Sequence, residues 1–82
     1  MRLDKFLKVS RIIKRRTVAN EACDAARVTV NGRSAKASYD VREGDIIEVA
    51  FGTRAIRIRV LDVKDSTKKA DAAEMYEVLP NS

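Results

Sequence analysis

The residues RVTVNGR (27–33) mark the point at which the periodicity of the chain changes. Val28 and Val30 alternate with polar residues, which is the two-residue repeat of a strand that buries one face. Asn31 and Gly32 follow at once, and this dipeptide is the strongest short-range signal for a tight turn between two strands. The stretch predicts a β-hairpin and places the start of a sheet near its first valine.

Upstream of the hairpin, apolar residues recur at helical spacing. Leu3, Phe6 and Leu7 occupy positions i, i+3 and i+4, so that they share one face of a helix. We predict this helix from about residue 3 to residue 9, followed by a corner over residues 10–16.

A second helix is predicted after the corner, with Thr17 or a neighbouring residue as its N-cap. Its inner face is expected to consist mostly of small residues, which would allow close packing against a neighbouring element. This predicted stripe comprises Val18, Ala19, Ala22, Cys23 and Ala26. In this position Cys23 is interpreted as a small core residue rather than a redox-active thiol.

Turn and strand signals alternate downstream of the hairpin. A turn signal at residues 43–45 precedes an apolar strand at 46–51, and a second strand with alternating apolar residues is predicted at 54–63. Residues 70–74 are predicted as a short helix and residues 75–79 as a closing strand.

These elements predict an α+β fold of a single small domain. Two N-terminal helices are expected to pack on a short, mostly antiparallel sheet of four or five strands, with a minor helix near the C-terminus. A chain of 82 residues is too short for two cores. We therefore expect residues 1–52 to form the core of the domain and residues 53–82 to extend that same domain with a strand, the short helix and the closing strand.

The composition excludes several kinds of chemistry. One cysteine and no histidine leave no disulfide framework, no zinc site of Cys and His ligands and no imidazole base. We expect a protein that is not an enzyme and that needs no cofactor or metal. No apolar run of about 7 to 15 residues follows the charged start, so we expect no signal peptide, no membrane span and a cytoplasmic location.

Positive charge is concentrated at the N-terminus. Seven of the 17 basic residues lie in the first 16 positions, where the one acidic residue is Asp4, so this segment carries 7 − 1 = +6 whereas the whole chain carries +5. Cations at a helix start and adjacent like charges are both unfavourable, whereas a bound polyanion would convert their repulsion into affinity. We therefore predict a nucleic-acid-binding surface of Arg2, Lys5, Lys8, Arg11, Lys14, Arg15 and Arg16.

Asp4 interrupts this basic segment, and two roles are open for it. The carboxylate can complement the helix dipole in the first turn. Alternatively it can act as a positioning residue that orients Arg2 or Arg16 for a phosphate, since a guanidinium pairs with a carboxylate through two hydrogen bonds.

Two further features also leave alternatives. Tyr39 can stack on a base, but two Tyr and two Phe are too few for an aromatic platform, which favours recognition of folded RNA by its shape. Arg54, Arg57 and Arg59 lie on one predicted strand. They form either a second nucleic-acid surface or a set of charges that protects an edge strand from aggregation.

Several of these residues together resemble the pattern of the S-four RNA-binding domain, a family named after a small-subunit ribosomal protein. The resemblance spans about residues 2 to 50 and rests on Arg2-Leu3-Asp4, Leu7, Arg16 with Ala19, Val28-x-Val30-Asn31-Gly32 and Gly44-Asp45-x-Ile47. It implies an RNA-binding surface made by the two N-terminal helices and the start of the sheet. It also implies that Arg2 and Arg16 match the motif arginines. Arg33, just after the hairpin turn, is a further candidate by its position. Ala26 and Arg27 stand where many members have the glycine that ends the second helix.

Nearly the whole chain is similar to the free-standing S-four factors of bacterial ribosome-associated quality control and to their heat-shock cousins. This resemblance implies a non-catalytic protein that binds large ribosomal subunits still holding a peptidyl-tRNA. It implies contacts with both ribosomal RNA and the tRNA. The partner factor RqcH, bound to the same particle, would add an alanine tail to the stalled chain. We expect the protein to be a monomer.

Three other functions are considered. A ribosome-assembly protein, or another S-four protein that binds structured RNA, would use the same surface. A fragment of an RNA-modifying enzyme is disfavoured because too few residues follow residue 50 for a catalytic fold. A DNA-binding helix-turn-helix protein would use the two short N-terminal helices to read duplex DNA.

Overall fold

The computed structural model describes residues 1–63, 72 and 74–80. Two helices and five strands follow one another as α1 (Leu3–Val9), α2 (Arg16–Asp24), β1 (Val28–Val30), β2 (Arg33–Ser34), β3 (Ile46–Phe51), β4 (Arg54–Val60) and β5 (Tyr76–Leu79). The strands form one sheet in the order β2-β1-β3-β4-β5, and every neighbouring pair is antiparallel. The predicted α+β class, with two N-terminal helices and a mostly antiparallel sheet of four or five strands, is confirmed, and the described sheet has five.

The core is one cluster of side chains contributed by both helices and the inner face of the sheet. Leu3, Phe6 and Leu7 are completely buried in it, which confirms the face predicted from their spacing. Ile47 and Ile58, which are opposite each other on β3 and β4, are also fully buried. The helices are therefore held on the sheet by the burial of large aliphatic and aromatic side chains.

The hairpin at β1 and β2 has the predicted turn. Asn31 and Gly32 both adopt positive φ angles, 53° and 83°, which is the requirement of a type I′ turn. The Asn31 side chain also ties the hairpin to β3, because its Oδ1 accepts a hydrogen bond from the Ile46 N–H at 3.0 Å. The turn residues thus fix both the β1/β2 register and the position of the hairpin relative to β3.

The predicted start of α2 is wrong by about two residues. Arg15 is the N-cap, with extended backbone angles and no side-chain capping hydrogen bond, and the helix begins at Arg16. Thr17 is therefore inside the first turn, where its backbone is already helical and its hydroxyl cannot act as the N-cap acceptor.

The inner face of α2 is narrower than predicted. Ala19 and Cys23 are buried and Ala22 is half-buried, whereas Val18 is 46% exposed. Consecutive helix residues are rotated by about 100°, so Val18 cannot share the buried face of Ala19. Ala26 is also exposed, because it lies beyond the last residue of the helix.

Ala26 ends α2 in the left-handed conformation, with a φ angle of 57°. Its N–H donates to the Cys23 carbonyl at 3.1 Å, and the N–H of Arg27 donates to the Ala22 carbonyl at 2.9 Å. These two bonds form a Schellman motif. An alanine therefore takes the place usually occupied by glycine and retains the geometry, although its Cβ is unfavourable there.

Strand β4 lies inside the sheet, between β3 and β5. For Arg57 and Arg59 the proposal of edge-strand protection is therefore wrong, because both edges of β4 are paired at these residues. At Arg54 the described pairing is with β3. The strand ends at Val60 instead of residue 63. The ladder is interrupted there because the Met75 carbonyl accepts from both the Leu61 N–H, at 2.9 Å, and the Asp62 N–H, at 3.3 Å.

The predicted minor helix at residues 70–74 falls largely outside the described residues. Within the described part of the chain, no helix is long and apolar enough to cross a membrane. The same residues contain no group of three or more His, Cys, Asp or Glu side chains that could hold a metal ion.

Candidate nucleic-acid interface

The start of the chain is fixed to the loop that precedes β3. Arg2 forms an isolated antiparallel bridge with Asp40. The Leu3 N–H donates to the Tyr39 carbonyl and the Val41 N–H donates to the Met1 carbonyl, both at 2.8 Å. Because the backbone is held on both sides of it, Arg2 has a defined position at the N-cap of α1.

Asp4 is the centre of a cluster of polar side chains that joins the two helices. Its side chain is only 3% exposed, and its two oxygens accept from Arg2 Nε at 3.2 Å and Nη2 at 3.4 Å. Arg16 approaches from α2, with Nη2 and Nε each 3.4 Å from a carboxylate oxygen. Asn20 Nδ2 donates at 3.4 Å. We call Asp4, Arg2, Arg16 and Asn20 the Asp4 cluster.

The Asp4 carboxylate is held in its charged form by these neighbours. Burial alone would raise its pKa, but hydrogen bonds from Arg2, Arg16, Asn20 and the Lys5 N–H together lower the pKa below its usual value. Of the two roles open for Asp4, the contacts are those of the orienting one, because the carboxylate binds both arginines at the same time.

The two arginines of the cluster are oriented but remain accessible. Their side chains are 51% and 49% exposed for Arg2 and Arg16, although each guanidinium faces the buried carboxylate. Two positive charges share one negative charge, so the cluster keeps a net charge of +1 at the surface. Pre-oriented, half-exposed guanidiniums are well suited to two-point contacts with phosphate oxygens.

A second group of cations lines a groove at the corner between the helices. Lys8, Arg11 and Lys14 surround Val9 there, and we call these three cations the basic corner. Arg11 ends α1 with a left-handed φ angle of 64°, and its N–H donates to the Lys8 carbonyl at 3.0 Å. The abrupt turn after α1 brings the three cations together.

The other sequence-predicted residues are placed differently. Lys5 is half-buried on α1, and Arg15 is exposed immediately before α2. Arg33 lies on β2, where it lines another groove together with Lys36 and Tyr39. The structure therefore places Arg2 and Arg16 in the Asp4 cluster, the cations Lys8, Arg11 and Lys14 in the basic corner, and Arg33 beside a separate groove.

Sequence analysis missed Asn20 and Lys36. Asn20 is four residues after Arg16, which places both on one face of α2, so the helical spacing was a usable signal. Lys36 is in a loop, and its relation to Arg33 depends on the path of the chain after β2. No local pattern indicated it.

The arginines of β4 do not form a single surface. The sheet register places Arg57 opposite Glu48 and Arg59 opposite Glu77, with Arg59 Nη1 3.6 Å from the Glu77 carboxylate. Arg54 is an odd number of residues from Arg57 and Arg59, so its side chain projects to the other face of the sheet. A second nucleic-acid surface built from these three residues is not supported by their arrangement.

Cys23 is confirmed as a core residue. It is only 6% exposed, and burial, with smaller contributions from the charges of Asp4 and Asp24, raises the pKa of its thiol to about 11. The thiol is therefore protonated at neutral pH and is a poor nucleophile.

Comparison with known proteins agrees with this architecture. The S4 domain model matches residues 1–47. A Streptococcus pneumoniae protein described as an RQC P-site tRNA stabilizing factor is 58% identical over 96% of this chain and 90% of its own length. A Bacillus subtilis protein with the same description is 56% identical, again over 96% of this chain and over 92% of its own length.

A solved structure supports the same relationship. Vibrio cholerae heat shock protein 15, described as trimeric, has a TM-score of 0.89 and 29% sequence identity, covering 96% of this chain and 81% of that protein. The S4 domain model covers more than half of the chain, and the two relatives match nearly all of it. This chain therefore belongs to the S4 domain family, in the group of the RQC P-site tRNA stabilizing factors.

Proposed function

We propose that this protein is a non-catalytic RNA-binding factor of ribosome-associated quality control. It binds large ribosomal subunits that still hold a peptidyl-tRNA and contacts both ribosomal RNA and the tRNA. The observation that carries this proposal is the Asp4 cluster, in which one buried carboxylate orients two accessible arginines on neighbouring helices. Both arginines contact the carboxylate and both side chains are half-exposed, so they remain accessible to an external anion.

The basic corner, Lys5 and Arg15 add further cations on or next to the two helices, and Arg33 adds one beside a separate groove. We assign phosphate contacts to Arg2, Lys5, Lys8, Arg11, Lys14, Arg15, Arg16 and Arg33, and a positioning role to Asp4. Counterion release by these side chains supplies affinity, and the fixed angle between α1 and α2 supplies recognition of RNA shape. No chemical step is assigned to the protein itself.

The related proteins support the proposed position beside the tRNA. The relatives from Streptococcus pneumoniae and Bacillus subtilis are described by an action on P-site tRNA, and that description supports a position beside the tRNA. We propose that the protein works there as a monomer in the cytoplasm. By stabilising the tRNA it would support alanine tailing of the stalled chain by RqcH, with the ribosome catalysing peptide transfer.

Co-sedimentation with ribosomal fractions tests this proposal. Tagged wild-type protein, Arg16→Ala and the matched control Arg57→Ala are expressed in cells, and the RNA retained by each is sequenced. Arg57→Ala removes the same charge from the sheet, far from the proposed interface in sequence. We expect wild type and Arg57→Ala on large subunits with tRNA, and about 10-fold or greater loss for Arg16→Ala, the value of one charge-assisted contact.

The distribution among particles distinguishes the alternatives. Equal retention on large subunits with and without tRNA contradicts the quality-control function. Enrichment on immature subunits without tRNA supports a role in ribosome assembly instead. Equal retention of Arg16→Ala and wild type would remove the Asp4 cluster from the interface.

A further inference from the structure

A second groove lies beside the proposed interface and has a different chemical character. Its lining includes Tyr39 and two cations, Arg33 and Lys36, together with the small residues Ser34, Ala35 and Ser38. We call it the Tyr39 groove. Within the described residues, neither Arg33 nor Lys36 forms an ion pair or a side-chain hydrogen bond. Both charges are therefore available to an anion.

The aromatic side chain of this groove is held in place. Tyr39 packs against the core and its hydroxyl donates to Asp45 Oδ2 at 3.1 Å. Asp45 also accepts from Asn31 Nδ2 at 3.1 Å and from the Arg42 N–H at 3.0 Å. Since the acceptor of the hydroxyl is itself fixed by the hairpin turn and by the loop, the ring is pre-oriented and loses little freedom when a ligand binds.

The Tyr39 groove is directly connected to the Asp4 cluster. The Leu3 N–H donates to the Tyr39 carbonyl at 2.8 Å, and the Asp4 N–H donates to the Ala37 carbonyl at 3.2 Å. The loop that carries the tyrosine is thus bonded to the first turn of α1. An RNA that contacts Arg2 and Arg16 has a short path to the groove.

We propose that the Tyr39 groove receives a single unpaired nucleotide of the bound RNA, with its base stacked on Tyr39 and its phosphate between Arg33 and Lys36. An aromatic ring stacks on any base, and two cations that line the same groove suit a phosphate. This inference rests on the RNA-binding function proposed above and adds a feature to it. The helices recognise folded RNA by shape, and the groove selects RNA in which one base is unstacked.

Two RNA hairpins with identical loops test the groove. One has a fully paired stem, and the other carries one unpaired adenosine in that stem. We expect the full-length protein to bind the bulged hairpin about 5- to 150-fold more tightly, the range for stacking of one base on an aromatic side chain. Tyr39→Leu abolishes this preference but leaves binding to the paired hairpin unchanged, whereas Tyr39→Phe keeps the ring and the preference.

Tyr39 packs on the core, so Tyr39→Leu could lose binding by failing to fold. A second variant tests the groove without changing a core residue. R33A/K36A changes only exposed side chains. It lowers the slope of log affinity against log salt concentration for the bulged hairpin, by the equivalent of about one to two phosphate contacts more than for the paired hairpin. Arg16→Ala is the opposite control and weakens binding to both hairpins alike.

Each other outcome overturns the inference. Equal binding of both hairpins by wild type excludes a nucleotide site, as does equal weakening of both hairpins by Tyr39→Leu when that variant is folded. An unaltered preference in R33A/K36A excludes the phosphate position. The bulge preference is independent of the ribosomal fractions, so the groove can be confirmed while the quality-control function fails, and the reverse can also occur. Binding of neither hairpin overturns the nucleotide site, whereas the quality-control function is decided by the ribosomal fractions.

Discussion

The arginines of the two N-terminal helices and those of the sheet have different neighbours. Arg2 and Arg16 share the single buried carboxylate of Asp4, whereas Arg57 and Arg59 each face a glutamate of their own across neighbouring strands. The first arrangement leaves positive charge at the surface, and the second neutralises it. The ratio of arginines to carboxylates, and not the number of arginines, distinguishes a candidate interface from a solvated sheet face.

The largest expected effect comes from removing the hydrophobic support beneath the first region. Leu7 is completely buried on the inner face of α1, so Leu7→Ala loses transfer free energy and leaves a cavity, which lowers the free energy of unfolding by about 2 to 4 kcal/mol. In so small a domain this is a large part of the total. Urea unfolding followed by circular dichroism measures the change.

The matched control for this substitution is Leu61→Ala. Leu61 lies just after β4 and is exposed, so its truncation should change the free energy of unfolding by less than about 0.5 kcal/mol. Equal losses in the two variants would mean that the helices are not held mainly by the buried face of α1.

An intermediate effect is expected when the shared carboxylate is neutralised. Asp4→Asn keeps the shape but loses the charge, and should lower the free energy of unfolding at neutral pH by about 1 to 2 kcal/mol, a discounted value because both arginines are half-exposed. The pKa of Asp4 is lowered in the folded protein, so its contribution is present above the unfolded pKa and is lost as the pH falls through the folded value. Below about pH 4 the wild type should therefore approach Asp4→Asn in stability.

Asp40→Asn is the control for this pH dependence. Asp40 is exposed and its pKa is lowered by the chain's amino terminus, at 2.8 Å. Its loss should therefore change the pH dependence of stability in the same direction but by less.

RNA affinity gives a second readout that a purely structural role of Asp4 would not move. If Asp4 acts by orienting Arg16, the losses in Asp4→Asn and Arg16→Ala are not additive in the double variant. Additive losses in RNA affinity would contradict the orienting role.

Local patterns in the sequence predicted the elements well, but not the partners of individual side chains. The spacing of Leu3, Phe6 and Leu7 and the Asn31-Gly32 turn were sufficient to predict α1 and the hairpin, because both depend on residues within one or two turns. The inner position of β4 depends on pairing with β5, which is distant in sequence, and so the edge-strand interpretation failed. The charges of Arg2 and Arg16 made both of them candidate partners of Asp4. That the Asp4 carboxylate binds both at once depends on how α2 packs against α1.

The smallest expected effect concerns the two helix ends, which share one strained conformation. Arg11 after α1 and Ala26 after α2 both have left-handed φ angles, and glycine at either position should raise the free energy of unfolding by about 1 kcal/mol. Ala25→Gly, where φ is −83°, is the control and should lower it. RNA affinity then separates the two ends, since Ala26→Gly leaves it unchanged, whereas Arg11→Gly loses a cation of the basic corner. If Arg11→Gly gained stability and kept full affinity, the strain at the corner would have no relation to RNA binding.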